Sequence, residues 1–459
     1  MLSAQVCHQA RISRDPRFDG LFFVLVKSTK IFCRNTCKVR LPLEKNVSYS
    51  ERAESALAQG YRPCLRCRPD SAPLSFAWQG VNTTVSRAIN LLSENLACNI
   101  HDIAERLGIS ERYLHKLFTE HLNLSPKQFV LYQRLLMAKG LLQQTHLSIE
   151  QVAHSVGFSG ARQLQVHSQK IMNLTPSQIR KTQTINRGAN KLDKDISLSL
   201  SYRPPYQWSG VRDFYARRQI NENEYVGNNT MRKILNIEGY PILVKLEHVG
   251  EENKFMLQFD AAYSRHVMCI TRVVRRMLDL DADPNLIRVA LENAGLHHKE
   301  IVAGIRIPGV ASQFEAGCRA ILGQQVSVAA AVNKLNQFFN HFKVQTDGAF
   351  PSPELVANDD LMFLKIPNAR RQSLINLARF LMATPDADPS EWLSIKGIGP
   401  WTVNYVLMRA QGSTDIWLNT DLVVKQQVTK LADAKRELND TLASPWRSYL
   451  SLNLWSMSD

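Results

Sequence analysis

Two pairs of cysteines stand close together near the start of the chain. Three residues lie between Cys33 and Cys37, two lie between Cys64 and Cys67, and 26 residues separate the pairs. Each pair can supply two thiolates to one tetrahedral zinc ion, which is a strong spacing signal for a metal site. From spacing alone, the zinc site is either a structural knuckle or a centre with a reactive thiolate.

A second group of residues able to do chemistry lies between Leu393 and Asp421. Gly397 and Gly399 flank a single isoleucine, and this predicts a hairpin before the amphipathic run Val403 to Met408. Such a hairpin can turn backbone N–H groups outward, where a DNA phosphate can accept them. Asp421 is then either a helix-capping residue or a functional carboxylate that lies beside the bound DNA strand.

Length and charge limit the possible functions of the chain. Its 459 residues suggest several domains, and a net charge of +15 with a pI of about 9.5 favours a nucleic-acid partner. Residues 1 to 190 hold 25 Lys and Arg against 12 Asp and Glu, so most of the excess lies in front. We find no spanning run and no signal peptide, and we expect an intracellular protein, cytoplasmic and nucleoid-associated, with no membrane partner.

The segments Ile31-Phe32-Cys33-Arg34 and Gly60 to Pro69 carry a resemblance to a known family. With Arg14-Asp15-Pro16, they make residues 1–75 similar to the zinc domain of Ada-type regulators. The resemblance implies Zn²⁺ bound by all four cysteines and irreversible transfer of a methyl group from a methylated DNA phosphate to Cys33. It also implies basic residues on the phosphate side of the domain, which here are Arg34, Arg62 and Arg66.

Residues 80–183 contain an internal repeat with an offset of about fifty residues. The first copy has Ile100, Ala104, Gly108 and Ser110, and the second has Ile149, Ala153, Gly157 and Ser159. A small residue, a turn glycine and a capping serine predict one helix-turn-helix in each copy. The tandem arrangement resembles the AraC family of transcription activators, which implies promoter DNA and RNA polymerase as partners. Candidate DNA contacts are Arg112, Lys116 and Arg162.

The rear half resembles the AlkA family of DNA glycosylases. The run Arg319 to Ala329, the hairpin and the segment Pro445 to Tyr449 carry this resemblance. It implies excision of alkylated purines of the 3-methyladenine type, with Asp421 as the catalytic carboxylate and a monovalent cation at the hairpin. The implied base pocket consists of Trp401, Tyr405 and Trp455. Each of these three aromatic residues has an alternative role in core packing.

Two further residues refine the glycosylase prediction. Gln325 stands where AlkA has a leucine that fills the gap left by a flipped base, so we expect a polar wedge here. Trp401 stands where strand-cutting relatives have a Schiff-base lysine, so we expect a monofunctional enzyme. A different class of function is a DNA-binding regulator whose inactive glycosylase half only anchors DNA.

The predicted architecture is multidomain and mainly α with α+β parts. It has a small zinc-bound α/β domain at 1–75, a tandem helix-turn-helix domain at 80–183 and a linker at 184–196. An antiparallel-sheet subdomain at 197–280 and a helical helix-hairpin-helix domain at 281–459 complete the chain. We expect a monomer that binds double-stranded DNA through its methylated backbone, its promoter sites and its alkylated bases.

Overall fold

The computed structural model describes most of the chain. The residues outside the described part are 1, 16, 17, 19, 20, 38, 52–54, 57, 58, 65, 66, 68, 70–84, 86, 87, 90, 93–98, 182–194, 386, 435, 458 and 459. The predicted linker therefore lies outside the described part up to residue 194. Two compact units are present, one formed by Met1–Pro204 with Glu251–Arg272 and the other by Pro205–Gly250 with Val273–Asp459.

A four-stranded sheet forms the beginning of the first unit, in the order β3, β1, β2, β4. The strands are β1 Phe23–Val26, β2 Ile31–Arg34, β3 Val47–Ser50 and β4 Arg62–Pro63, with helix α1 at Ala4–Ser13. Alternate residues of β1 are buried on opposite faces. Val24 packs with the cysteine cluster, while Phe23 and Leu25 pack with Phe32.

Six helices follow in the first unit and form the two predicted helix-turn-helices. They are α2 Ile100–Arg106, α3 Glu111–Leu122, α4 Pro126–Gln144, α5 Ile149–Ser155, α6 Ala161–Met172 and α7 Pro176–Lys181. Gly108 and Gly157 lie at the two turns with positive φ angles of 67° and 82°, as the repeat predicted. Ser125 and Thr175 each exchange hydrogen bonds with a glutamine three residues later.

The two recognition helices begin differently. Ser110 caps α3 by accepting a hydrogen bond from the Tyr113 N–H at 3.2 Å, as predicted. The predicted Ser159 cap is wrong, because Gly160 is the capping residue of α6 and has no side chain to accept a bond. Glu150 of α5 replaces it, since its Oε2 accepts from the Ala161 N–H at 2.9 Å.

An antiparallel strand pair also belongs to the first unit. Strand β5, Asp195–Ser201, pairs with β9, Lys254–Asp260, along its whole length. Strands β6 Glu224–Val226, β7 Thr230–Ile237 and β8 Tyr240–Val249 lie in the second unit and pair antiparallel in sequence order. The antiparallel strands predicted for this region are confirmed.

Helices make up the rest of the chain. They are α8 Trp208–Ala216, α9 Val267–Met277, α10 Pro284–Asn293, α11 Gln313–Gly323, α12 Val328–Phe342, α13 Pro353–Ala357, α14 Asn368–Ala383, α15 Pro400–Gln411, α16 Leu422–Asp433 and α17 Arg447–Ser456. Short 3-10 turns lie at Glu44–Asn46, Gly250–Glu252, Ala261–His266, Pro389–Ser394 and Asp440–Ala443. Among the described residues, no helix has the length and apolar character that crossing a bilayer requires.

The core of the second unit is built around Trp392, whose side chain is fully buried. Helices α11, α14 and α15 supply much of this core, and Ile398 of the predicted hairpin is buried in it. Gly317 of α11 allows the close approach, because an added Cβ would lie 2.6 Å from the Leu377 side chain. The core therefore fixes where the hairpin and α15 begin.

A buried ion cluster ties α11 to the strands of the second unit. Lys233 on β7 donates to Glu224 at 2.5 Å and to Glu315 of α11 at 2.9 Å. Arg319 contacts the same two carboxylates at 2.8 and 2.7 Å. Burial raises the pKa of Glu224, but Arg319 and Lys233 outweigh it and bring that pKa to about 2. The cluster thus fixes the first two turns of α11, which precede the predicted wedge, against β6 and β7.

Candidate functional site

The four predicted zinc ligands come together in the first unit. Cys33 lies on β2 and Cys64 directly after β4, while Cys37 and Cys67 lie in the turns that follow. Their sulfur atoms all lie within 4.8 Å of one another, and Cys67 alone among them is not buried. Four sulfurs at this separation fit a tetrahedral Zn²⁺, whose Zn–S bonds of about 2.3 Å place the sulfurs slightly less than 4 Å apart.

Crowding of the thiols supports a cation at this position. The hydrogen bond with Cys37 raises the pKa of Cys33, and the hydrogen bond with Cys33 holds the pKa of Cys64 well below its usual value. Four neighbouring thiols therefore cannot all ionise unless a positive charge is shared among them. Zn²⁺ held by the four cysteines would supply that charge and keep the coordinating thiols deprotonated.

Two of the three predicted phosphate-side arginines belong to the strands that carry the cluster. Arg34 on β2 and Arg62 on β4 are both partly buried, and the Arg34 backbone N–H donates to the Cys67 sulfur at 3.4 Å. Arg66 lies outside the described residues. The parallel pairing of β2 with β4 places Ile31 opposite Arg62 and thereby joins the two halves of the cysteine motif.

The predicted DNA contacts of the helix-turn-helices are exposed. Arg112 and Lys116 lie on α3, and Lys116 also reaches Glu120 at 3.7 Å. Arg162 lies on the first turn of α6. Exposed basic side chains on the first two turns of these helices suit contacts with phosphates or base edges in the major groove.

The predicted hairpin is present and its glycines have different roles. Gly397 has a φ angle of +92°, and an added Cβ would lie 2.1 Å from the Ser373 hydroxyl oxygen. Gly399 has an extended backbone, caps α15 and has no neighbour near its Cβ position. Glycine is therefore required at position 397, where the φ angle is positive and a side chain would collide with Ser373, but not at position 399.

Side chains from two other segments of the chain form hydrogen bonds with the carbonyl groups of the hairpin and hold it in place. The Ser373 hydroxyl lies 2.9 Å from the Lys396 carbonyl oxygen, and the Gln324 side chain donates to the Gly397 carbonyl at 3.1 Å. Within the described part of the chain, the N–H groups of Gly397 and Gly399 donate to no protein acceptor. These N–H groups are consequently available to an anion such as a phosphate.

Asp421 is the amino-terminal cap of α16 and also the meeting point of two indoles. Its Oδ1 accepts from the backbone N–H groups of Val423 and Val424 at 3.0 and 3.2 Å. Trp455 donates its indole N–H to the same oxygen at 3.0 Å, and Trp401 donates to Oδ2 at 3.1 Å. Capping alone would leave the carboxylate facing solvent, whereas here two aromatic rings from α15 and α17 converge on it.

The third predicted pocket residue extends this group along α15. Tyr405 stacks on Trp401, with ring centroids 5.2 Å apart and planes inclined by 22°. Both rings are partly exposed, as is that of Trp455. An electron-rich aromatic surface beside a single carboxylate suits a cationic ring system next to a developing positive charge.

The predicted wedge lies between α11 and α12. Gln325 is exposed and has a φ angle of +55°, a left-handed conformation that is uncommon for a residue with a side chain. Its neighbour Gln324 is bound to the hairpin carbonyl, so the wedge loop and the hairpin are directly joined. Sequence reasoning missed Gln324, Ser373 and also Arg409, which donates a hydrogen bond to the Tyr405 hydroxyl oxygen. Of these, Arg409 alone had a visible signal, its position four residues after Tyr405.

Comparisons with known proteins find relatives of both halves of the chain. Family models described as the metal binding domain of Ada, a helix-turn-helix domain and the AlkA N-terminal domain match residues 6–70, 103–182 and 197–312. A Mycobacterium tuberculosis protein described as a probable bifunctional transcriptional activator/DNA repair enzyme AlkA is 31% identical over 98% of this chain and 95% of its own.

Two Escherichia coli proteins match separate parts of the chain. DNA-3-methyladenine glycosylase 2 is 28% identical over 56% of this chain and 96% of its own length. The bifunctional transcriptional activator/DNA repair enzyme Ada is 37% identical over 26% of this chain and 33% of its own. The predicted resemblances to Ada-type, helix-turn-helix and AlkA-type proteins, and the multidomain fold class, are confirmed.

Proposed function

Because the chain belongs to the family of AlkA-type bifunctional transcriptional activators and DNA repair enzymes, we propose that it uses Asp421 to excise alkylated purines and Cys33 to sense methylated DNA phosphates. The chain is a DNA-binding activator and repair enzyme that combines Ada-type and glycosylase parts. The convergence of two indole N–H groups on one carboxylate is the observation that carries the assignment of Asp421.

Excision of the base begins with a nucleotide flipped out of the duplex. An alkylated purine is already positively charged, so it leaves as a neutral base when the glycosidic bond breaks and its bonding electrons return to the ring. Trp401, Tyr405 and Trp455 offer faces for the cationic base. Asp421 stabilises the positive charge that develops on the sugar, and water then attacks the anomeric carbon. The reaction is a hydrolysis of the DNA-3-methyladenine glycosylase II type, without strand cutting.

Base release from randomly methylated DNA tests this activity. Wild-type protein is expected to release 3-methyladenine, and Asp421→Asn to lose that activity while keeping DNA affinity. Asp388→Asn is the matched control, because Asp388 also caps a helical turn but is exposed and distant in sequence. Undiminished release by Asp421→Asn contradicts the assignment. No release by the wild type would favour a regulator whose rear half only anchors DNA.

Methyl sensing uses the four-cysteine cluster. Zn²⁺ held by Cys33, Cys37, Cys64 and Cys67 would supply thiolates at neutral pH. The Cys33 sulfur attacks the methyl carbon, a carbon–sulfur bond forms, and the carbon–oxygen electron pair returns to the phosphate oxygen. The product is a thioether, so the protein is consumed in the reaction. Conversion of a thiolate to a neutral thioether removes a negative charge that faces DNA, and DNA affinity should rise.

Mass spectrometry of the protein after incubation with methylphosphotriester DNA tests the methyl acceptor. One methyl group on the peptide that contains Cys33 is expected, and Cys33→Ser should prevent it. Cys7 is a buried thiol outside the cluster, so Cys7→Ser is the control that should leave the transfer intact. A methyl group on another ligand would contradict the assignment of Cys33 and leave the sensing function standing.

The remaining partners follow from the same function. The free N–H groups of Gly397 and Gly399 bind a phosphate beside the lesion, with a monovalent cation held at the hairpin. Gln325 enters the gap left by the flipped base, and Arg34, Arg62 and Arg66 approach the methylated phosphate. Arg112, Lys116 and Arg162 bind promoter DNA. The protein acts as a monomer on the nucleoid in the cytoplasm, and at promoters it contacts RNA polymerase. Replacing potassium in the buffer with a large organic cation should weaken DNA binding by the rear half.

A further inference from the structure

Arg409 is a buried cation in contact with Tyr405 of the predicted base pocket. It lies in the last turn of α15 and is 2% exposed. Its Nη1 donates to the Tyr405 hydroxyl oxygen at 2.5 Å, and its Nε donates to the Pro308 carbonyl. Its guanidinium carbon lies 4.6 Å from the centre of the Phe214 ring. In the part of the chain that the structure describes, no carboxylate lies within ion-pair distance of Arg409.

This environment makes the tyrosine oxygen an important partner. A buried guanidinium is costly unless its N–H groups are satisfied, and here the acceptors are neutral. Arginine has donors and no acceptor, so the Tyr405 oxygen must accept in this hydrogen bond. The phenolic proton of Tyr405 therefore points away from Arg409. No described acceptor lies within hydrogen-bond distance of that proton.

The other polar hydrogens of the predicted pocket are already used. Trp401 and Trp455 both donate their indole N–H groups to Asp421. Tyr405 stacks against Trp401 with its ring partly exposed, so its hydroxyl belongs to the same aromatic group. Of the side-chain donors on the three pocket aromatics, only the Tyr405 hydroxyl has no acceptor within the described protein.

We propose that Arg409 is a positioning residue that holds Tyr405 as a hydrogen-bond donor towards the flipped base. This inference rests on the proposed base-excision function and adds a requirement for its substrate. The base must present an unprotonated ring nitrogen or a carbonyl oxygen to Tyr405, in addition to an aromatic face to Trp401. Alkylated purines that present such an acceptor fit this requirement, and the hydrogen bond strengthens as electrons return to the departing ring.

A double-mutant cycle tests the dependence of Arg409 on Tyr405. Single-turnover release of 3-methyladenine and 7-methylguanine is measured for Tyr405→Phe, Arg409→Met and the double variant, at saturating protein. Each single variant should slow release about tenfold, the value of one neutral hydrogen bond. The double variant should also be about tenfold slower, because Arg409 has nothing left to position once the hydroxyl is gone. Arg409→Lys should recover at least threefold over Arg409→Met.

Independent roles give a different result. If Arg409 acts only by holding the Pro308 segment, the losses multiply and the double variant is about a hundredfold slower. That result, or full activity of Tyr405→Phe, overturns the inference. Thermal unfolding checks each variant, and Arg409→Gln completes the same cycle if Arg409→Met does not fold. Wild-type protein and Asp421→Asn are measured in the same assay. If wild type releases the base and Asp421→Asn does not, the proposed function stands, and a failed cycle then refutes only the role of Arg409.

Discussion

Asp279 offers a test of how the second unit depends on pH. Its Oδ2 accepts from the Ile307 N–H at 3.0 Å and from the Tyr449 hydroxyl at 2.9 Å. Burial raises the pKa of this carboxyl from 3.8 to about 7, against the opposing effect of Arg306. Asp279→Asn replaces the acid with a neutral group of the same shape that keeps the accepting oxygen. The φ angle of +49° at this residue also suits asparagine.

The sign of the pH effect follows from proton binding. As pH rises above 3.8 the unfolded chain releases this proton, while the folded protein keeps it until pH reaches about 7. Between these values the folded state binds more protons, so the free energy of unfolding falls as pH rises. Each pH unit costs about 1.4 kcal/mol, so the full interval corresponds to about 4 kcal/mol and the part above pH 5 to about 2.7 kcal/mol.

Scanning calorimetry of the full chain at pH 5 and pH 8 measures this effect. For a unit of this size, about 2.7 kcal/mol corresponds to roughly 5 to 10 °C in the unfolding temperature. We therefore compare the unfolding temperature of Asp279→Asn with that of wild type at each pH. The difference in favour of the variant should be several degrees larger at pH 8 than at pH 5. Asp213→Asn is the control, because the side chain of Asp213 is 46% exposed and pairs with Arg212. An equal shift at both pH values, or a loss of stability at pH 8, refutes the reasoning.

Three further predictions concern the sites themselves. Gly397→Ala should weaken the binding of DNA by at least tenfold in a fluorescence-anisotropy titration, because its Cβ would collide with a serine oxygen, whereas Gly399→Ala should bind normally; equal losses would contradict the distinction. Trp455→Phe should slow base release tenfold or more, since it removes one hydrogen bond to the Asp421 carboxylate and keeps an aromatic ring; a rate equal to wild type would contradict this. Chelation of zinc should lower the unfolding temperature of the unit that holds the four cysteines and abolish methyl transfer, and the metal content is measured as the control. Protein that is purified without zinc would refute the metal assignment.

Much of the fold could be predicted because its signals are local. Close cysteine pairs, a repeat with turn glycines and a capping box, and alternating apolar runs each specify structure within a few residues. The failure at Ser159 shows the limit of such signals. The repeat placed a serine before α6, but Glu150, eleven residues before Ala161, supplies the cap. The caps of equivalent helices in the two copies can thus come from different parts of the chain.

The residues of the candidate site could be proposed from the sequence, but the hydrogen bonds between them could not. Asp421, Trp401 and Trp455 were each identifiable, yet the two indole hydrogen bonds join residues 20 and 34 positions apart. Gln324 and Ser373 reach the hairpin from sequence distances of 73 and 23 residues, and no short motif encodes them. Contacts between distant segments depend on packing of the whole unit, and for this reason sequence patterns did not reveal them.

The capping role of Asp421 has a consequence for reading related sequences. Since its Oδ1 accepts two backbone N–H groups at the start of α16, loss of this side chain would destabilise the helix by about 1 kcal/mol even in a protein without catalysis. Selection for folding would therefore preserve an aspartate, or an asparagine, after activity had been lost. The indoles of Trp401 and Trp455 do not cap a helix. A descendant that had abandoned base excision should replace the tryptophans first, and retention of all three residues together is the better marker of a working site.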